Sequence, residues 1–528
     1  VWNTFAAKLK LKNMKRITIS LLSIGLMVPI IFNPDRTYAQ AMQDTIKEQV
    51  ITLRDRIGGI EERVATAESD LAKLTRIKLS GYIQAQFQRF ENPSIYPNNT
   101  FSLRRVRIKF QYEPANEVVF VLQPDFLPGS ISLKDAYAQV NEPWLKTFSL
   151  WAGQFNRPDY EVEYSSSNRE VPERSAVIRA LYPGERAIGA KLEIAPPKIP
   201  LKAQLAVFNG NDGLTINTKV YDPANQKWNN LNTNPTNKDF DKFKDIMARI
   251  TYGFKLGSLG GLNIGVHGYY GFLKSNTTDV LNSDYTYNKS VKIGDALKKN
   301  WIGVEAQLYF DLWGGLTLKG EYIFGKNAYP GYVSDPYNVF SSSSALNSEG
   351  DTLTLTNLKM TTTQMSPSIV KNFMGYYVYL IKNIGKRNQF AFRWDYYDPN
   401  TKLSADQIGV AKWDAKVADV VKNDQQYAGT NPVICTNNQT RTIVNNSLKS
   451  GVSDIAYGTI TLAWTYFFDD NIKFMLAYEI PMNEKVAQND KGVGNVSSTY
   501  NVNGEPGVLD YSTVFHQNTL TLRMQVKF

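Results

Sequence analysis

From Phe515 to Phe528 the chain alternates apolar and polar side chains: Leu520, Leu522, Met524, Val526 and Phe528 share one parity, and Thr519, Thr521, Arg523, Gln525 and Lys527 the other. Successive strand side chains point to opposite faces, so this segment presents one greasy and one charged face. The pattern recurs along the chain. Alternating segments lie near residues 78–90, 101–113, 117–124, 131–141, 147–155, 187–195, 200–209, 241–256, 261–273, 299–312, 315–326, 371–383, 387–398, 454–468, 471–481 and 513–528. They predict an all-β transmembrane barrel of about sixteen antiparallel strands, an even number as a closed single chain requires.

The connections are asymmetric. Tight turns fall at 114–116, 142–144, 196–197, 257–261, 314–315, 385–386 and 469–470, whereas 156–186, 210–240, 274–298, 327–370, 399–453 and 482–512 are long. Short periplasmic turns and long external loops define an outer-membrane barrel with both termini in the periplasm. Outward parity carries Phe254, Tyr270, Phe310, Tyr322, Phe324, Phe390, Phe392, Trp394, Tyr396, Trp464, Tyr466 and Tyr478, rings suited to the interfacial girdles against lipid and lipopolysaccharide.

Two features precede the barrel. Lys15 and Arg16, an apolar run 17–32 and Thr37-Tyr38-Ala39 describe a secretory signal initiated at Met14 and cleaved after Ala39, with residues 1–13 upstream of it. Over residues 40–77, apolar residues then recur in steps of four and three: Ile46, Val50, Leu53, Ile57, Ile60, Val64, Ala67, Leu71 and Leu74. A 3.5-residue period predicts an α-helical coiled coil, here in the periplasm, with its oligomer number left open. The barrel occupies 78–528.

A mean hydropathy of −0.33 with no spanning helix after the signal agrees with a barrel. The formal charge of +10 falls to +5 once residues 1–39, with six basic residues and one Asp, are removed. Cys435 is the only cysteine, so an intrachain disulfide and a Cys-rich metal site are excluded. His267 and His516 are far apart in sequence, and no nucleotide-binding loop is present, so neither enzymatic activity, a metal, a cofactor nor a nucleic-acid partner is expected.

Sixteen strands enclose a channel, which makes transport the expected role. The order Arg104-Arg105-Val106-Arg107-Ile108-Lys109-Phe110 sends Arg105, Arg107 and Lys109 to the polar face, about 7 Å apart, as a positive ladder for small anions. The same parity sends Lys191, Lys202, Arg249, Lys319, Arg393, Lys473, Arg523 and Lys527 inward, along with Asp135, Glu193, Asp245, Glu305, Glu321, Asp395 and Glu479. Arg–carboxylate pairs that brace the wall are the competing reading. The connection 156–186 is the candidate constriction: it carries Arg157, Arg169, Arg174, Arg179 and Arg186, an acidic cluster (Asp159, Glu161, Glu163), and apolar Val171, Val177, Ile178 and Leu181 that would pack it in the lumen.

Several of these segments resemble one family. Gly153-Gln154-Phe155-Asn156-Arg157-Pro158, Pro172-Glu173-Arg174-Ser175, Pro183-Gly184-Glu185-Arg186, Gly189, the 103–107 strand, Arg393 to Asn400, and the closing Asn518, Arg523, Gln525 and Phe528 resemble the phosphate-selective porin O and P family. The resemblance implies a trimeric outer-membrane porin of a Gram-negative bacterium that passes anions through a basic lumen narrowed by loops. The Ala39-Gln40 junction and Asn-rich loops resemble a Bacteroidota member. With seven carboxylates sharing the lumen, a general pore with modest preference for anions such as phosphate is expected. The alternative is a tethering protein whose coiled coil organises the envelope.

Overall fold

A computed structural model of the chain describes residues 36–74, 76–91, 98–210, 242–275, 280–288, 296–311, 314–329, 368–408, 454–486 and 518–528, with short pieces between them. Most of the expected signal peptide, Cys435, His516 and residues 513–517 of the expected last strand lie outside the described residues.

The long strands are β1 (Ile77–Phe90), β2 (Asn99–Ala115), β3 (Val118–Leu127), β4 (Ser130–Asn141), β5 (Phe148–Asn156), β6 (Arg186–Ile194), β7 (Leu201–Phe208), β8 (Asp245–Lys255), β9 (Gly260–Lys274), β10 (Ala296–Phe310), β11 (Leu316–Tyr329), β12 (Ser368–Ile384), β13 (Asn388–Asp398), β14 (Tyr457–Phe467), β15 (Ile472–Asn483) and β16 (Thr519–Lys527). Each pairs antiparallel with the next. β16 returns to β1 in a register from Tyr82↔Lys527 to Phe90↔Thr519, which closes the barrel. Closure satisfies backbone groups that a lipid environment would leave unpaired. The terminal Phe528 exchanges backbone hydrogen bonds with Gly81 at 3.0 and 3.1 Å, and its ring occupies the space a Cβ at Gly81 would need.

Alternation sets the two faces. On β13, Phe390, Phe392 and Trp394 are exposed on the outside while Ala391, Arg393 and Asp395 are buried within. The largest apolar cluster among the described residues therefore lies inside the barrel, where the 157–185 connection packs on the wall. A smaller cluster (Leu281, Tyr285, Leu403, Ile408, Ile455, Val486) joins external loops to one another. Asp454 reinforces it by accepting from Tyr285 and Asn400 and pairing with Lys371.

The helix α1 (Arg36–Leu74) belongs to a separate unit from Arg76–Phe528. Within this single chain the seam residues Val50, Leu53, Ile57, Ile60 and Val64 are all about half exposed, at 49–57 %. The side chains of Ile46, Leu71 and Leu74 lie outside the described residues.

Candidate functional site

Residues 157–185 leave β5, cross the lumen and return to β6. Two short helices shape the crossing, α2 (Tyr160–Glu163) and α3 (Ala176–Leu181). Asp159 starts the first, its Oδ1 accepting the Val162 N–H at 3.0 Å, which satisfies a backbone donor that the turn leaves free. Val162, Val171, Ala176, Val177, Ile178, Leu181 and Tyr182 are buried against Trp301, Ile323, Phe373, Tyr377, Tyr379 and Tyr397 of β10–β13. Gly375 admits α3, since a Cβ there would lie 2.6 Å from that of Val177. The expected apolar positions thus seal one side of the lumen.

Ion pairs hold the rest of the loop. Glu163 faces Lys202 and Arg249, at 3.1 and 3.0 Å, and Lys191 at 3.6 Å. Glu173 accepts both arms of Arg104 at 2.7 Å and lies 3.6 and 3.2 Å from Arg105 and Arg523. Glu185 sits at φ 68°, a conformation rare for a non-glycine residue, and its carboxylate meets Arg169, Arg174 and Arg186. Burial opposes the ionisation of all three carboxyls, yet the arginines and lysines around them outweigh it and hold each below the usual carboxylate range.

Between this loop and β2–β7 a void of about 370 Å³ remains. Its charged lining is Arg107, Lys109, Arg174, Arg186, Lys191 and Lys202 against Asp135, Glu163 and Glu193, with Tyr82, Tyr137 and Trp151 between them. A second void of about 510 Å³ shares Glu163, Tyr164 and Lys202 with the first and reaches the short turn at 195–200. The two voids thus flank the same loop residues, the second on the side of that short turn. A larger groove, about 800 Å³, is lined mainly by outward apolar residues such as Phe87, Trp464 and Leu522 and belongs to the exterior surface.

The cations expected to line an ion path divide into three groups. Arg107, Lys109, Arg174 and Arg186 border the first void, although Arg107 is paired with Asp125 at 2.9 Å and Arg186 with Asp135 at 3.0 Å. Arg249 borders the second and is also paired with Glu305 at 2.7 Å. Arg105, Arg393 and Arg523 are instead buried against the loop: Arg523 donates to the Pro172 carbonyl at 2.8 Å, Arg393 to that of Glu173, and Lys473 joins them at the Arg169 carbonyl, 3.1 Å away. The expected continuous ladder Arg105–Arg107–Lys109 is thus broken, because a loop crossing the lumen needs donors for its carbonyls and cations for its acids. Lys527 is half-buried on the last strand. Arg157 is buried over the rings of Tyr182 and Phe208, and Arg169 within the loop itself against Glu185, whereas Arg179 is exposed at the last turn of α3.

Strict alternation misses Arg104. The register of β1 against β2 slips at Gln84/Ala85, leaving Arg104 as an extra residue that turns to Glu173. A similar slip at Gln123/Pro124 leaves out Lys134, between Leu133 and Asp135. Each bulge falls at two consecutive charged residues, a break in alternation that was visible in the sequence.

A closed sixteen-stranded antiparallel barrel, greasy outside and charged within, whose loop narrows a polar passage, has the architecture of an outer-membrane porin. The family model described as phosphate-selective porin O and P matches residues 77–306 of the chain, from β1 into β10. No curated protein matches it. Solved structures similar to it include OmpT of Vibrio cholerae in its trimer form, at 9% identity and TM-score 0.42, covering 86% of this chain and 99% of that one. OprB of Pseudomonas putida is similar at 9% identity and TM-score 0.43 over 88% and 96% of the two chains. DcaP, an outer-membrane channel of Acinetobacter baumannii, is similar at 10% identity and TM-score 0.40 over 86% and 97%.

Proposed function

We propose that this porin prefers small anions, phosphate among them, over cations of similar size. The supporting observation is the first void, where six basic side chains face three acidic ones. Lys109 and Lys202 make the excess effective, since neither is fully buried and a partly hydrated cation can exchange water for a passing anion. Carboxylates in the same lining keep the preference modest and the pore from trapping its solute.

The trimer that the family resemblance implies, together with the exposed α1 seam, leads us to a homotrimer with three N-terminal helices bundled as a periplasmic coiled coil, over the range 40–77. The barrel at 78–528 would then conduct, and residues 1–39 direct export. Reversal potential in a planar bilayer under a KCl gradient tests the selectivity, with phosphate as competitor. Chloride-favouring currents reduced by phosphate are expected; cation-favouring currents would sink the reading.

A further inference from the structure

We propose that Asp159, His267 and Glu321 form a divalent transition-metal site, of the class filled by Zn²⁺, that ties the root of the constriction loop to the barrel wall. Asp159 belongs to the loop, His267 to β9 and Glu321 to β11, and all three side chains are fully buried. One ligand atom from each lies within 4.8 Å of the others.

The unused hydrogen-bonding capacity points to an ion. Asp159 Oδ1 is occupied by the Val162 N–H, and Glu321 Oε2 by the Tyr377 hydroxyl at 2.7 Å. The remaining oxygens, Asp159 Oδ2 and Glu321 Oε1, and both nitrogens of His267 have no hydrogen-bond partner. One ion would take one nitrogen of His267 and the two free carboxylate oxygens, three buried polar atoms that otherwise cost several kcal/mol to leave unsatisfied. Nδ1 of His267 is 3.1 Å from Glu321 Oε1, and Nε2 is 3.9 Å from Asp159 Oδ2. Ligands at about 2.0–2.2 Å from a tetrahedral Zn²⁺ stand about 3.3–3.6 Å apart, so small side-chain rotations suffice.

Charge leads to the same assignment. Arg249, the neighbouring cation, is already shared by Glu305 and Glu163, which leaves two carboxylates and an imidazole without a dedicated counter-charge. A divalent cation offsets both carboxylates at once, and a mixed imidazole–carboxylate set suits Zn²⁺. The site is also kept open for the ring: a Cβ at Gly303 would meet His267 Cε1 at 2.1 Å.

The test uses the folded, detergent-solubilised full chain after EDTA treatment, titrated with Zn²⁺ alone by calorimetry, with bound metal counted by mass spectrometry. One Zn²⁺ per chain is expected. His267→Gln should weaken it by about a hundredfold or more, because even changes beyond the ligands cost about 10–100-fold. His516→Gln should leave uptake intact. Heat-modifiable gel mobility checks that each variant is folded; should His267→Gln fail this check, Asp159→Asn on the loop decides in its place. EDTA should also raise the open-channel noise of the native protein to that of the folded ligand variant. Absence of saturable uptake, or uptake untouched by the ligand variant, would overturn the site.

Discussion

Oε2 of Glu163 accepts hydrogen bonds from both Arg249 and Lys202, at 3.0 and 3.1 Å, where the two voids meet. A single loop carboxylate therefore anchors the constriction to β7 and β8 and also sets how much positive charge a passing solute meets. Anchorage and selectivity are coupled through it.

Glu163→Gln should raise anion preference. The amide keeps the shape and an acceptor oxygen but leaves Lys191, Lys202 and Arg249 without their shared counter-charge. In water a unit charge at about 7 Å contributes about 0.6 kcal/mol, roughly threefold in a permeability ratio. Reversal potentials should shift towards chloride by that order; an unchanged potential would mean that ions bypass this junction.

Lys109→Ala should act in the opposite direction with little effect on the barrel. Lys109 is half-buried in the void lining and has no ion pair among the described residues, so its removal strands no buried carboxylate. A loss of about two- to threefold in chloride over potassium is expected from the same distance argument. Arg107→Ala is the contrast, because it deprives buried Asp125 of its partner and should cost about 3–5 kcal/mol of stability as well as selectivity. Equal loss of stability in the two variants, read by heat-modifiable mobility, would contradict this division.

Acid should loosen the loop only well below pH 4.5. Glu163, Glu173 and Glu185 all titrate below their ordinary value of 4.5 when folded, so their pairs stabilise the loop fully above that pH and lose this contribution as pH falls through the lowered values. In the EDTA-treated protein, single-channel noise should stay flat from pH 7 to 5 and rise only below the ordinary carboxylate value. Glu185→Gln should bring part of the acid behaviour to neutral pH, since Arg169, Arg174 and Arg186 lose their common partner. Noise that grows between pH 6 and 5 in the EDTA-treated protein would assign the anchorage to other groups.

Much of this architecture was legible in the sequence because a barrel wall obeys a two-residue period. Parity alone sorted Phe392 from Arg393 and Leu522 from Arg523, and the long 156–186 connection with its Val177, Ile178 and Leu181 announced a segment with an apolar side to bury. Parity says which way a side chain points and not what meets it there. Whether Arg523 faces water or the Pro172 carbonyl depends on where a distant loop folds, 351 residues away in the chain. His267 shows the same limit: isolated in sequence, it meets Asp159 and Glu321 only because the loop crosses to β9 and β11. Arg104 escaped for a local reason, the bulge that breaks the period.

The helix carries the last prediction. Val50, Leu53, Ile57, Ile60 and Val64 repeat at the spacing of a coiled-coil seam and are about half exposed in one chain, so each has apolar surface to bury against copies of itself. Burying such a side chain contributes about 1.5–3 kcal/mol, less when half of it is already covered, and a charge placed in the seam reverses the sign. Leu53→Glu combined with Ile60→Glu should therefore lower the temperature at which the detergent-solubilised oligomer dissociates, without changing conductance per barrel or the folded mobility of the monomer. If the double variant dissociates at the native temperature, the seam does not hold the subunits together. If its conductance per barrel falls instead, the helix acts on the pore and is more than an assembly device.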